Sequence, residues 1–101
     1  AKNLLLESAY QGIAEAVESL LEGGVPIDSL DNATGMTALH LAVGRNHLEL
    51  ARILVERGAS FMPDKQGRMP TTIAAECEVS PELCDFIVEA EATAEVRAKG
   101  V

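Results

Sequence analysis

The side chains best equipped for chemistry in this sequence are two imidazoles and two thiols, and their spacing argues against their use. His40 and His47 stand seven residues apart, as do Cys77 and Cys84. Structural zinc sites pair their ligands across gaps of about two to four residues, and a redox dithiol needs two intervening residues, so neither pair fits. The cysteines read as reduced, partly buried small hydrophobes. A catalytic histidine needs a base or ligand partner at hand, and nothing in the sequence supplies one to either imidazole. Gly23-Gly24 is not followed by the Lys-Ser or Lys-Thr of a phosphate-binding loop and reads as a helix stop. None of Ser8, Ser19, Ser29, Ser60 and Ser80 sits in a Gly-x-Ser-x-Gly elbow. The expectation is therefore a protein with no catalytic residues, no metal and no cofactor.

Composition narrows what the elements can be. The 101 residues are 48% hydrophobic and 24% charged, ordinary for a folded domain and far from the signature of disorder. Leu, Ala, Val and Ile carry the apolar volume; Tyr10, Phe61 and Phe86 are the only aromatics, which suits closely packed short helices better than a β-sandwich. The formal charge is −8, so the field repels nucleic-acid phosphates and anionic lipid headgroups, and neither is an expected partner. Residues 29–62 balance three acids with three bases, whereas both flanking segments are acidic, as expected of an array whose end units face water or of an acidic surface for a basic partner. No stretch reaches the roughly 18 apolar residues of a membrane span, and no secretory leader is visible, so the expected location is cytoplasmic.

The sequence repeats itself. Asp31 laid on Asp64, an offset of 33, aligns Glu49 with Glu82, Leu50 with Leu83, Leu54 with Ile87, Val55 with Val88, Glu56 with Glu89 and Ala59 with Ala92. An offset of 34 aligns Glu15 with Glu49, Leu20 with Leu54, Glu22 with Glu56 and Gly24 with Gly58. Three units result, over residues 3–28, 29–61 and 62–92, with a tail at 93–101 that either extends the last helix or frays. Three stacked units are about the minimum that can bury one another's apolar faces, so the length reads as a whole array forming one domain.

Each unit reads as a pair of helices. Thr37 is placed to cap a helix carrying Leu39, Leu41, Ala42 and Val43; a break at Gly44 to His47 precedes a second helix with Leu48, Leu50, Ala51, Ile53, Leu54 and Val55, which Gly58 ends. Ser80-Pro81-Glu82 supplies an N-cap, a first-turn proline and an acidic first turn for the last helix. Asp31 to Met36 and Asp64 to Arg68 are polar and contain glycine, suited to tight projecting turns. Small Ala42 and Ala74 are expected to let paired helices approach closely.

The run Gly35-Met36-Thr37-Ala38-Leu39-His40-Leu41-Ala42, followed by Leu48 through Ala59, strongly resembles the ankyrin repeat, whose Thr-Pro-Leu-His-x-Ala signature differs only by Ala38 for proline. The first unit resembles an N-terminal capping repeat without its leading turn. The last resembles a C-terminal cap, with Pro70, Thr71 and Thr72 where Ala38, Leu39 and His40 stand and Glu91 where Gly58 stands. The resemblance implies an all-α solenoid of stacked helix-turn-helix pairs with projecting β-turn fingers, and a role for His40 in tying neighbouring turns by hydrogen bonds. It also implies a protein-binding module, an adaptor, inhibitor or regulator, whose concave face meets a partner protein.

By position, the resemblance points to Tyr10 and Gln11 in the first unit, to Asn32, Thr34, Met36, Gly44 and Arg45 in the second, and to Lys65, Gln66, Arg68, Glu76 and Cys77 in the third. Tyr10, Met36, Arg45 and Arg68 are singled out as a basic-aromatic patch suited to a partner's carboxylates, since Tyr and Arg dominate binding hot spots. Truncating Arg45 or Arg68 is expected to spare the fold. Met36 either meets the partner or packs under its neighbour's turn, and the acidic stripe Glu15, Glu18 and Glu22 is either a solvated face or a second docking surface. A monomer is expected; the alternative is an oligomerising segment of a larger assembly that uses the tail from Thr93 as its contact.

Overall fold

Each helix begins and ends where local chemistry dictates. In the computed structural model, which describes residues 3–98, Asn3 opens α1 (Leu4–Gln11) by accepting hydrogen bonds from the amides of Leu5 and Leu6 at 2.9 and 3.3 Å. Thr37 caps α3 (Ala38–Gly44). Pro70 sits in the first turn of α5 (Pro70–Glu76), where its missing N–H costs nothing. Ser80 Oγ accepts from the Leu83 amide at 3.3 Å to start α6 (Pro81–Ala98). The second helices of the first two units, α2 (Ala14–Glu22) and α4 (Leu48–Glu56), start without a side-chain cap, so packing holds them in place.

Within each pair the chain reverses through one left-handed residue: Gly12 at φ 77°, Asn46 at 61° and Glu78 at 53°. The three equivalent turns share a geometry although their residues differ. A glycine is demanded only at the first, because a Cβ on Gly12 would lie 2.5 Å from the His47 ring.

The helices form two rows. An inner row runs α1, α3, α5 and an outer row α2, α4, α6, with each pair also packed internally. The seam between the rows is aliphatic: Leu5, Val17, Leu39, Val43, Leu50, Leu54, Ile73, Leu83 and Ile87 are buried, and the small Ala42 of α3 and Ala74 of α5 are buried with them. The outer row is uneven at one end. Leu54 and Ile87 are sealed, whereas Leu20, in the same register, is half-buried and Val17 takes the sealed place in α2. As an outermost helix, α2 has only α4 beside it in its row.

Two fingers project between the pairs. The first (residues 30–37) closes through an isolated antiparallel bridge between Leu30 and Thr37 and a hydrogen bond from the Asp31 amide to the Met36 carbonyl at 2.9 Å. The second (residues 64–68) closes likewise, Asp64 amide to Arg68 carbonyl, at 2.9 Å. The fingers stack on each other: the Lys65 amide donates to the Thr34 carbonyl at 2.9 Å, and the Lys65 ammonium donates to the Asn32 carbonyl. Gly35, at φ 75°, lies beneath this contact; a Cβ there would stand 2.7 Å from the Lys65 nitrogen. The tail beyond Ala92 prolongs α6, which at 18 residues is twice the length of α2 or α4. Positions 99–101 lie outside the described residues.

Candidate functional site

The face made by the inner helices and fingers carries the predicted contact residues, and the structure sorts them into two groups. Tyr10, in the last turn of α1, and Arg45, just after α3, come together: the guanidinium carbon lies 4.4 Å from the centroid of the phenol ring. A cation over a ring face is drawn to its negative quadrupole, so the pair fixes Arg45 in place. Tyr10 is 49% exposed, and Arg45 is exposed and makes no ion pair among the described residues. At the site's edge His47 Nε2 donates to the Tyr10 carbonyl oxygen at 3.2 Å. Because a carbonyl only accepts, that nitrogen carries the proton.

Next to this pair lies a groove between α1 and the first finger, lined by Leu6, Tyr10, Leu30, Asn32, Thr34 and Met36 together with Leu41 of α3. Met36 is half-buried, packs against the core and also lines the groove. Gln11 is exposed beside Tyr10.

Arg68 belongs to the second group. Its Nε donates to Asp64 Oδ2 at 2.9 Å and its Nη1 to Glu76 Oε1 at 3.3 Å, while its amide and that of Gln66 donate to Asp64 Oδ1 at 2.9 and 2.8 Å. Burial pushes the Asp64 carboxyl up, but the two amides and the guanidinium outweigh it, and the group titrates below the ordinary carboxylate range. Arg68 thus shapes the second finger, and Glu76 and Lys65 are engaged with it or with the first finger. These contacts argue against the expectation that truncating Arg68 spares the fold. Truncating it leaves the buried Asp64 carboxylate without its cation, so Arg68→Ala lowers the urea midpoint clearly more than Arg45→Ala does; equal midpoints would contradict this reading. Cys77 likewise departs from expectation: it is exposed at the end of α5, whereas Cys84 is half-buried.

His40 is occupied structurally. The Thr37 amide donates to its Nδ1 at 3.1 Å, and its Nε2 donates to the Arg68 carbonyl oxygen at 2.8 Å. These partners fix the neutral tautomer protonated on Nε2. Burial lowers its pKa; the Arg68 carbonyl and the Asp64 carboxylate pull upward without reversing it, and the Arg68 charge adds to the lowering. The repeat register puts Tyr10 and Arg45 in one patch but does not reveal their stacking, and it carries no signal for the Asp64–Arg68 pair or for the Asp28 carboxylate that clasps the Ser60 amide and hydroxyl at 2.9 and 2.7 Å. All three join residues whose proximity depends on the turns.

Comparison with known proteins agrees with this architecture. The family model described as "Ankyrin repeats (3 copies)" matches residues 5–99. The chain is 35% identical over 89 residues to human "Neurogenic locus notch homolog protein 4", covering 87% of this chain and 4% of that protein. It is 33% identical over 76 residues to mouse "Ankyrin repeat domain-containing protein 40", covering 74% of this chain and 21% of the relative. It is 40% identical over 59 residues to mouse "Ankyrin repeat and SOCS box protein 6", covering 58% and 14%. The chain therefore spans a small part of the length of these relatives, and among its described residues no helix is long and apolar enough to cross a membrane. With six helices in two rows among its described residues, stacked fingers and a match over nearly its whole length, the chain belongs to the ankyrin-repeat family.

Proposed function

We propose that this chain is a non-catalytic protein-binding module whose inner face, centred on Tyr10 and Arg45 and flanked by Gln11, Asn32, Thr34 and Met36, captures a partner protein that presents carboxylates. It acts as an adaptor, inhibitor or regulator, as a monomer in the cytoplasm. The observation that carries this reading is the stacked Arg45: a cation fixed by an aromatic ring, exposed, and without a carboxylate partner among the described residues of a chain with a net charge of −8. In so acidic a molecule, a stacked guanidinium that pairs with none of the chain's described carboxylates favours an external anion; Arg52, 5.1 Å from the Phe86 ring centroid, is a similar pair on the outer row, and only Arg45 adjoins the inner-face groove. The ring and the adjoining groove, with Leu6, Leu30 and Met36, add apolar area around that charge, the composition of a binding hot spot.

The test compares what wild type, Tyr10→Ala and Arg45→Glu retain from native lysate, with Glu49→Ala on the outer row as control. Both inner-face variants are expected to lose a protein that wild type and the control retain, with urea midpoints little changed. If both variants retain every protein that wild type retains, the assignment fails.

A further inference from the structure

The second half of α6 has no counterpart in the other units and creates a second, separate recess. At about 1.5 Å per residue, α6 runs about 27 Å where α2 and α4 run about 13 Å, so its end reaches past the outer row. Between that overhang and the loop at residues 58–61 lies a groove of about 990 Å³. Its floor is apolar, formed by Val55, Phe61, Met69 and Phe86, and one wall is the α6 stripe that continues from Phe86 through Ala90 to Ala94, four residues apart and on one helix face. Its rim is acidic. Glu56, Glu89, Glu91 and Glu95 line it together with Arg97, and the exposed Arg52 guanidinium lies 5.1 Å from the centroid of the Phe86 ring, so carboxylates outnumber guanidinium groups four to two; Glu56, Glu89 and Glu95 make no ion pair among the described residues. Glu91 is turned inward, accepting from Thr71 Oγ1 at 2.9 Å.

We infer that this outer groove docks a basic amphipathic helix of a partner protein. The span from Phe86 to Arg97 corresponds to about three helical turns, the length over which anchors at every third or fourth residue make one apolar stripe. Alanine at positions 90 and 94 leaves room for larger side chains to enter beside α6. Lysines or arginines flanking such a stripe meet the three unpaired glutamates. A second copy of this chain, or an anionic membrane, meets charge of its own sign instead. The groove lies away from Tyr10 and Arg45, so this inference stands or falls independently of the inner-face site.

The probe is a fluorescein-labelled helical peptide made only of leucine and lysine, with leucines at every third and fourth position, and a twin in which glutamate replaces lysine. Fluorescence anisotropy at physiological salt is expected to show binding of the lysine peptide and none of its twin. The double reversal Glu89→Lys with Glu95→Lys weakens binding by about tenfold or more, whereas Glu15→Lys with Glu49→Lys, an identical change in net charge on the outer row, weakens it by about twofold or less. In wild type, amide chemical shifts move at residues 59–61 and 89–97. Equal weakening by the two reversals would show attraction by net charge alone and overturn the inference. So would shifts gathered at Tyr10 and Arg45, binding of the glutamate twin, or self-association of the chain that the peptide displaces. Should the first reversal unfold the protein, the wild-type shift map decides.

Discussion

Leu54→Ala lowers the unfolding free energy by about 2–5 kcal/mol, a large share of the roughly 5–15 kcal/mol available to a domain of this size. Leu54 has no exposed surface and sits in the middle helix of the outer row, with α2 on one side and α6 on the other. Truncation removes three buried carbons and leaves a void bounded by both neighbours, neither of which can collapse into it without losing its own packing. The equivalent truncation at Leu20 costs less, about 1–2 kcal/mol, because that side chain is already half-exposed at the end of the row. Urea unfolding followed by circular dichroism reads both values. Three units coupled through nearest neighbours lose stability together when the middle one is weakened, so a single transition moves to lower urea with its slope kept. If Leu20→Ala proves as costly as Leu54→Ala, the two positions share an environment and the end effect in α2 is wrong.

This contrast marks how far the sequence can be read. The offsets of 33 and 34 locate the helices because burial forces the same apolar spacing on every unit, and Leu54 and Ile87 occupy equivalent places as that spacing requires. Leu20 matches them in register and differs in burial, since periodicity reports which way a residue faces and says nothing of how many neighbours lie beyond it. The caps at Thr37 and Ser80 were legible because their chemistry is local. The same logic explains the mixed outcome at the inner face. Tyr10 and Arg45 are separated by 35 positions, yet they meet because their units stack; the repeat register brings their neighbourhoods together, and only coordinates reveal the stacking of cation on ring. Arg68, the same residue type in a projecting turn, is held by Asp64 four positions earlier, a pairing that the fold of the finger creates. The outer groove was illegible for a simpler reason. It exists because α6 continues past the end of the repeat, where there is no second copy of the pattern to compare with.

His40→Ala has the other large effect, about 2–4 kcal/mol, and its pH dependence separates hydrogen bonding from packing. Truncation deprives the buried Thr37 amide of its Nδ1 acceptor and the Arg68 carbonyl of its Nε2 donor, and it empties the space of a fully buried ring. The tie it cuts joins the start of α3 to the base of the second finger, so the third unit loosens from the second. His40→Gln is expected to lose less, because a glutamine three residues after an N-cap can accept from the cap's amide in its place, although it does not also reach Arg68. The imidazole is bound neutral, and its folded pKa lies below the value of about 6.5 in the unfolded chain. The unfolded chain therefore takes up a proton first as the solution is acidified. Stability from this group is complete above pH about 6.5 and declines as pH falls from there to the folded pKa, where Nδ1 protonates and the Thr37 amide loses its acceptor. A second decline follows at lower pH, as the Asp64 carboxylate, held below the ordinary range, takes up its proton and releases Arg68. Urea midpoints measured from pH 8 downward should show both declines in wild type, and the lower one alone in His40→Ala. If the decline just below pH 6.5 persists in the alanine variant, its source lies elsewhere and His40 does not bridge the second and third units as a neutral donor and acceptor.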